Sequence, residues 1–196
     1  MIRTLLAATL ASLMTVVTVV AGDVNSFDVM GLRIGMTADE VEAVAGSKGL
    51  AKSGAFPAPS FEQQVALGNG GRVAANDYAG LQSMTLEGER EQVEVFFFAT
   101  PEGPRAWKIV YRHTSSELTR EAMAERVLKT YGPPDKEVMG RAVWGDTALP
   151  FSRKSAWLEY DDNPPAAHGP KPVGTLTLAD PAFAREMKEA VRNVVR

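Results

Sequence analysis

The sequence predicts an α+β protein: an antiparallel sheet with helices packed on one face, laid out so as to suggest two similar halves. Three observations carry this. Residues 92–113 read as a β-hairpin, with the strand-rich run QVEVFFFA, the turn TPEGP and the alternating run AWKIVYRH. Two further regions, each opened by helix-start chemistry, are followed by several strand-like runs. Neighbouring strands without intervening helices pair antiparallel, which separates α+β from α/β.

Taken in order, residues 1–21 read as a signal peptide. Arg3 is the only charge before Asp23, Leu5 to Val20 are apolar, and Val19-Val20-Ala21 offers small residues for cleavage. The competing reading is a retained span, because the uncharged stretch from Thr4 to Gly22 is close to membrane-spanning length. Either way the rest of the chain is expected outside the cytoplasm, periplasmic or secreted, as a single domain over 22–196 with candidate halves at 27–114 and 115–196. Membrane association is expected only if the leader is kept.

Thr37-Ala-Asp-Glu40 forms a capping box for a first helix, with Val41, Val44 and Ala45 on its apolar side. Residues 51–61 carry two prolines and read as a loop. Val65 and Leu67 suggest a strand, 68–71 a turn, and Leu81, Met84 and Leu86 another strand. In the hairpin, alternation puts Trp107, Ile109 and Tyr111 on one buried face and Lys108 and Arg112 on the other. A helix over 118–131 follows, started by Ser115, Ser116 and Thr119, striped by Met123, Val127 and Tyr131, and stopped by Gly132-Pro133-Pro134. Residues 142–144, 156–160 and 174–178 read as strands. Asp180 and Pro181 then open a last helix with Phe183, Met187, Val191 and Val194 as its apolar stripe.

Composition removes whole classes of function. The 196 residues include no cysteine, so disulfides, thiolate metal sites and thiol nucleophiles are absent, and a net charge of −3 gives no nucleic-acid footprint. With two histidines, His113 and His168, a multi-histidine metal site is not expected, and no cofactor is. No G-x-S-x-G, H-E-x-x-H, S-x-x-K or P-loop pattern occurs, and Asp161-Asp162-Asn163 lacks the spacing of a calcium loop. No catalytic residue or metal ligand is assigned. The leading expectation is a non-catalytic protein-binding module of the cell envelope, an assembly accessory or inhibitor whose partner is another envelope or secreted protein. The rival is an envelope hydrolase with a carboxylate or serine–histidine site.

Binding energy concentrates in aromatic and arginine anchors. Trp144, Phe151, Arg153 and Trp157 surround a Gly- and Pro-bearing turn and are the candidate partner-binding residues. Two phases are open. If Leu158 and Tyr160 face the helices, alternation sends both tryptophans outward as a patch; in the reverse phase both are core.

The phrase from Gly31 through Arg33, Gly35 and Thr37 to Val41 resembles the start of the helical part of the small envelope lipoproteins of the SmpA/OmlA (BamE) group. The segment from Met123 to Pro134, ending Lys-Thr-Tyr-Gly-Pro-Pro, resembles the helix-then-stop of that group and of similar tandem-repeat inhibitor domains. The resemblance implies a helix pair on an antiparallel sheet, and action by binding proteins. The chain departs from the group in having no cysteine to lipidate and no proline after Gly46.

Overall fold

The computed structural model describes residues 23–114, 117–165 and 172–195. The expected leader over 1–21, His168 and the Ser115–Ser116 part of the helix start lie outside the described residues.

The chain is α+β, built on one antiparallel sheet of eight strands with four helices. Helix α1 (Ala38–Ser47) opens on the expected capping box: Thr37 accepts from the Glu40 amide, and the Glu40 carboxylate accepts from the Thr37 amide at 2.8 Å. A meander follows, β1 (Ala51–Ala58), β2 (Gly80–Glu87), β3 (Glu91–Thr100) and β4 (Gly103–His113), with α2 (Phe61–Gly68) inserted between β1 and β2. The pattern then runs again. Helix α3 (Arg120–Tyr131), capped by Thr119 and ended by Gly132 at φ 78°, precedes a second meander. That meander is β5 (Lys136–Val138), β6 (Arg141–Gly145), β7 (Trp157–Asp161) and β8 (Gly174–Ala179), followed by α4 (Pro181–Val194). The sheet order β1-β2-β3-β4-β8-β7-β6-β5 joins the two meanders through their last strands, leaving β1 and β5 as the free edges.

Helices α1 and α3 cover one face. Val41 and Ala45 from α1, and Met123, Val127 and Tyr131 from α3, meet Met84, Val93, Val95, Ile109, Tyr111, Leu158, Leu176 and Leu178 in one core. The other face carries Phe96, Phe98 and Trp107, whose rings pack edge to face. Helix α4 crosses to that face, where Lys188 Nζ lies 5.7 Å from the centre of the Phe98 ring. Three consecutive phenylalanines therefore serve both faces: Phe97 is core, and its neighbours point the other way.

Three local expectations are corrected. Residues 51–58 are a strand, not a loop; Pro57 is tolerated because β1 is an edge strand and the register shifts between Phe56 and Pro57. Val65 and Leu67 lie on helix α2, which Ser60 and Gln63 open with a second capping box. Trp107 is not in the helix-covered core. Phe96 pairs with Lys108 and Phe97 with Ala106, so Trp107 is the extra residue of a β-bulge. The bulge turns its indole to the second face, and Ala106 takes the buried place beneath the helices.

Candidate functional site

The four sequence-selected residues fall on two sides of the sheet. Trp144 is fully buried, with its Nε1–H donating to the Gly132 carbonyl at 3.2 Å. It offers a partner no surface. Antiparallel pairing explains this: Trp144 sits opposite Leu158 and therefore shares its face, whereas Trp157 sits opposite Gly145 with the reverse phase. Alternation within each strand was sound, but the joint phase of two strands is set by register. The two tryptophans cannot form one outward patch.

Arg153 and Trp157 do lie together on the outer side, and Phe151 stands exposed two residues before Arg153. Between β6 and β7 the chain makes a lobe over 146–156, organised by one carboxylate. Asp146 accepts from the amides of Ala148, Lys154 and Ser155 and from the Ser155 hydroxyl, and these bonds hold its carboxyl below the usual range. A single 3-10 turn at Pro150–Ser152 lifts Phe151 into solvent, 87% exposed. Arg153 folds back beneath it. Its guanidinium lies 4.0 Å from the centre of the Trp157 ring, Nε donates to the Ala148 carbonyl at 3.1 Å, and Nη2 donates to Glu159 at 2.7 Å.

The lobe faces a hairpin that the sequence reading passed over. Strands β5 and β6 are joined by Met139-Gly140, both in the left-handed region at φ 52° and 77°. Positive φ at both central residues is a type I′ turn, which favours Asn-Gly; a methionine in the first place is strained and unusual. Met139 is also 97% exposed. The legible signal was a two-residue step ending in glycine between β-compatible runs. It was hidden because β5 has only three residues, all exposed.

Around this tip gathers the apolar surface of the described protein. Among the described residues eight large hydrophobics are exposed, and five of them are Leu128, Val138, Met139, Leu149 and Phe151. Two hollows flank the turn. One of about 410 Å³, towards α3, is lined by Leu128, Val138, Met139 and Tyr160; the other, about 330 Å³ on the outer face, by Val138, Met139, Val143, Leu149 and Arg153. Exposed apolar clusters and free strand edges are, in general, the features by which interaction surfaces are recognised.

A second groove of about 360 Å³ lies between the 28–31 turn, α3 and the ends of β3 and β4. At its floor the Tyr111 hydroxyl is 3.2 Å from both Glu91 Oε1 and His113 Nδ1, while His113 and Glu91 stand 3.9 Å apart. Burial lowers the His113 pKa, more than the Glu91 carboxylate restores it, and burial raises that of Tyr111. No serine is among the described residues lining this groove. Asp161 forms an ion pair with Arg141 at 3.2 Å and accepts from the Asn163 amide. No cluster of three potential metal ligands occurs among the described residues, and no described helix is long and apolar enough to cross a membrane. No protein-family model matches the chain, and neither a curated protein nor a solved structure shows significant similarity to it.

Proposed function

We propose that the protein is an exported, non-catalytic binding module of the cell envelope that docks another envelope or secreted protein on the apolar tip formed by the β5–β6 hairpin and the 146–156 lobe. The observation that carries the reading is Met139: an apolar side chain fully in solvent, held in a backbone conformation that disfavours it, between two hollows walled partly by apolar and partly by charged side chains. Strain kept at an exposed position is a mark of function. The apolar leader-like run over Leu5–Val20 and the likeness of the 31–41 segment to the SmpA/OmlA group support export and a binding role.

Met139→Asn tests it. Asparagine suits the turn, so the variant is expected to gain about 0.5 kcal/mol of stability. Photo-crosslinking from position 151 in envelope extract should yield a discrete partner adduct with the parent, and the adduct should fall at least about fivefold with Met139→Asn. Equal adducts from both proteins, or none from the parent, would refute the surface.

A further inference from the structure

The outer hollow is more than an apolar dent. Lys136, Arg141 and Arg153 line it against a single carboxylate, Glu159, within a chain whose overall charge is −3. Arg141 is engaged with Asp161 at 3.2 Å and reaches Glu159 at 4.0 Å, and Lys136 Nζ donates to the Thr147 carbonyl at 3.5 Å. Arg153 is the unusual member. Its side chain is 3% exposed, two of its nitrogens are bonded, and Nη1 has no hydrogen-bond acceptor among the described residues. A buried guanidinium with an idle N–H carries a desolvation cost, which an acceptor would offset once a small shift of the side chain brings that N–H to the hollow. Apolar walls, a cationic rim and that idle donor together describe a ligand with an apolar body and a carboxylate attached to it.

Strand β5 adds the second half of the description. It pairs with β6 on one side and is the edge of the sheet on the other, with Lys136 and Val138 alternating towards the outer hollow. An edge strand offers unpaired main-chain groups to an extended polypeptide, and an acyl chain has no groups to answer them.

Resting on the docking surface argued above, we propose that the outer hollow takes the free C-terminus of a partner polypeptide, its last apolar side chain between Val138, Val143 and Leu149 and its carboxylate towards Arg153 and Lys136. The terminal segment would lie along β5.

The test uses the full chain and a dye-labelled hexapeptide ending in phenylalanine, made as the free acid and as the C-terminal amide, read by fluorescence anisotropy. The acid should bind at least about tenfold more tightly than the amide. Raising salt from about 50 to about 500 mM should shrink that preference, because the cationic rim is partly open to water. Lys136→Gln, on an exposed edge strand where folding is unaffected, should reduce the preference about threefold; Arg153→Gln should abolish it. Acid and amide binding equally, with both lost in Met139→Asp, would overturn the carboxylate site and leave the docking surface standing. Failure of both peptides to bind would overturn the C-terminal site, whereas the docking surface is judged separately by the crosslink from position 151. Displacement of the acid by decanoate at equal or lower concentration would overturn the polypeptide in favour of an acyl ligand.

Discussion

The hydroxyl of Tyr131, at the end of α3, donates to the main-chain carbonyl of Asp28 at 2.7 Å, across 103 residues of sequence. Its ring stands 5.1 Å from that of Phe27 and 6.0 Å from that of Trp144, so one side chain ties the amino-terminal segment, α3 and β6 together. Tyr131→Phe keeps the packing and leaves the carbonyl without this donor, and should cost about 1 kcal/mol in denaturant unfolding. Tyr131→Ala should cost about 3 kcal/mol. Burial also pushes the Tyr131 hydroxyl up to about 12, from an ordinary value near 10. The folded state thus holds its proton where the unfolded state releases it. Stability is expected to fall as pH rises from about 10 through about 12, less steeply in Tyr131→Phe.

Trp144 packs against Tyr131 with no exposed surface, and its indole N–H caps the Gly132 carbonyl just past the end of α3. Trp144→Ala should destabilise by about 4 kcal/mol, and Trp144→Phe by about 1 to 2 kcal/mol. Thermal unfolding separates the two. A nearly unchanged midpoint for Trp144→Ala would contradict its place in the core.

His113 gives a prediction in the acid direction. Burial depresses its pKa, Glu91 opposes this, and Arg126 and Arg90 reinforce it. The unfolded chain therefore takes up this proton at a higher pH than the folded chain. Stability is complete above the unfolded value of about 6.5 and is lost as pH falls through the folded one. Melting curves between about pH 7.5 and 5.5 should show a falling midpoint that His113→Phe flattens. Glu40, Glu62, Glu121 and Asp146 have lowered pKa values and add their own loss only at more acid pH, below about 4.5.

Asp146 holds the lobe that presents Phe151 and buries Arg153. Asp146→Ala removes an acceptor shared by three amides and a hydroxyl, and should cost about 1 to 2 kcal/mol. Hydrogen exchange at the amides of Ala148, Lys154 and Ser155 should accelerate, while the amides of β3 and β4 stay protected. Uniform acceleration through the sheet would mean that the lobe is part of the global fold and not a locally ordered element.

Much of this architecture follows from local chemistry. Capping at Thr37, Thr119 and Asp180, the stripe Met123–Val127–Tyr131, the Gly132-Pro133-Pro134 stop and the 92–113 hairpin are rules written within a few residues, and the structure obeys them. The α+β class and the runs of antiparallel strands came with them. Local chemistry also marked Phe151 and Arg153 as candidate contact residues, from composition alone.

What only the tertiary structure decided is which face each side chain meets. Whether Trp107 lies under the helices depends on a one-residue bulge against β3, and whether Trp144 is outward depends on its pairing with Leu158. Both are relations between distant strands. A one-residue change in register sends every side chain of a strand to the opposite face. The same holds for Pro57 and Met139: only a sheet that leaves β1 and β5 at its edges gives a proline room within a strand, and leaves a methionine at a free hairpin tip. The sequence determined the elements whose signals lie within one turn or one strand, α1, α3, α4 and the β3–β4 hairpin among them. Strand β1, helix α2 and the three-residue β5 carry no local signal strong enough to be read. The assembled sheet decided the phase and the edges, because hydrogen-bond register between segments far apart in the chain sets them.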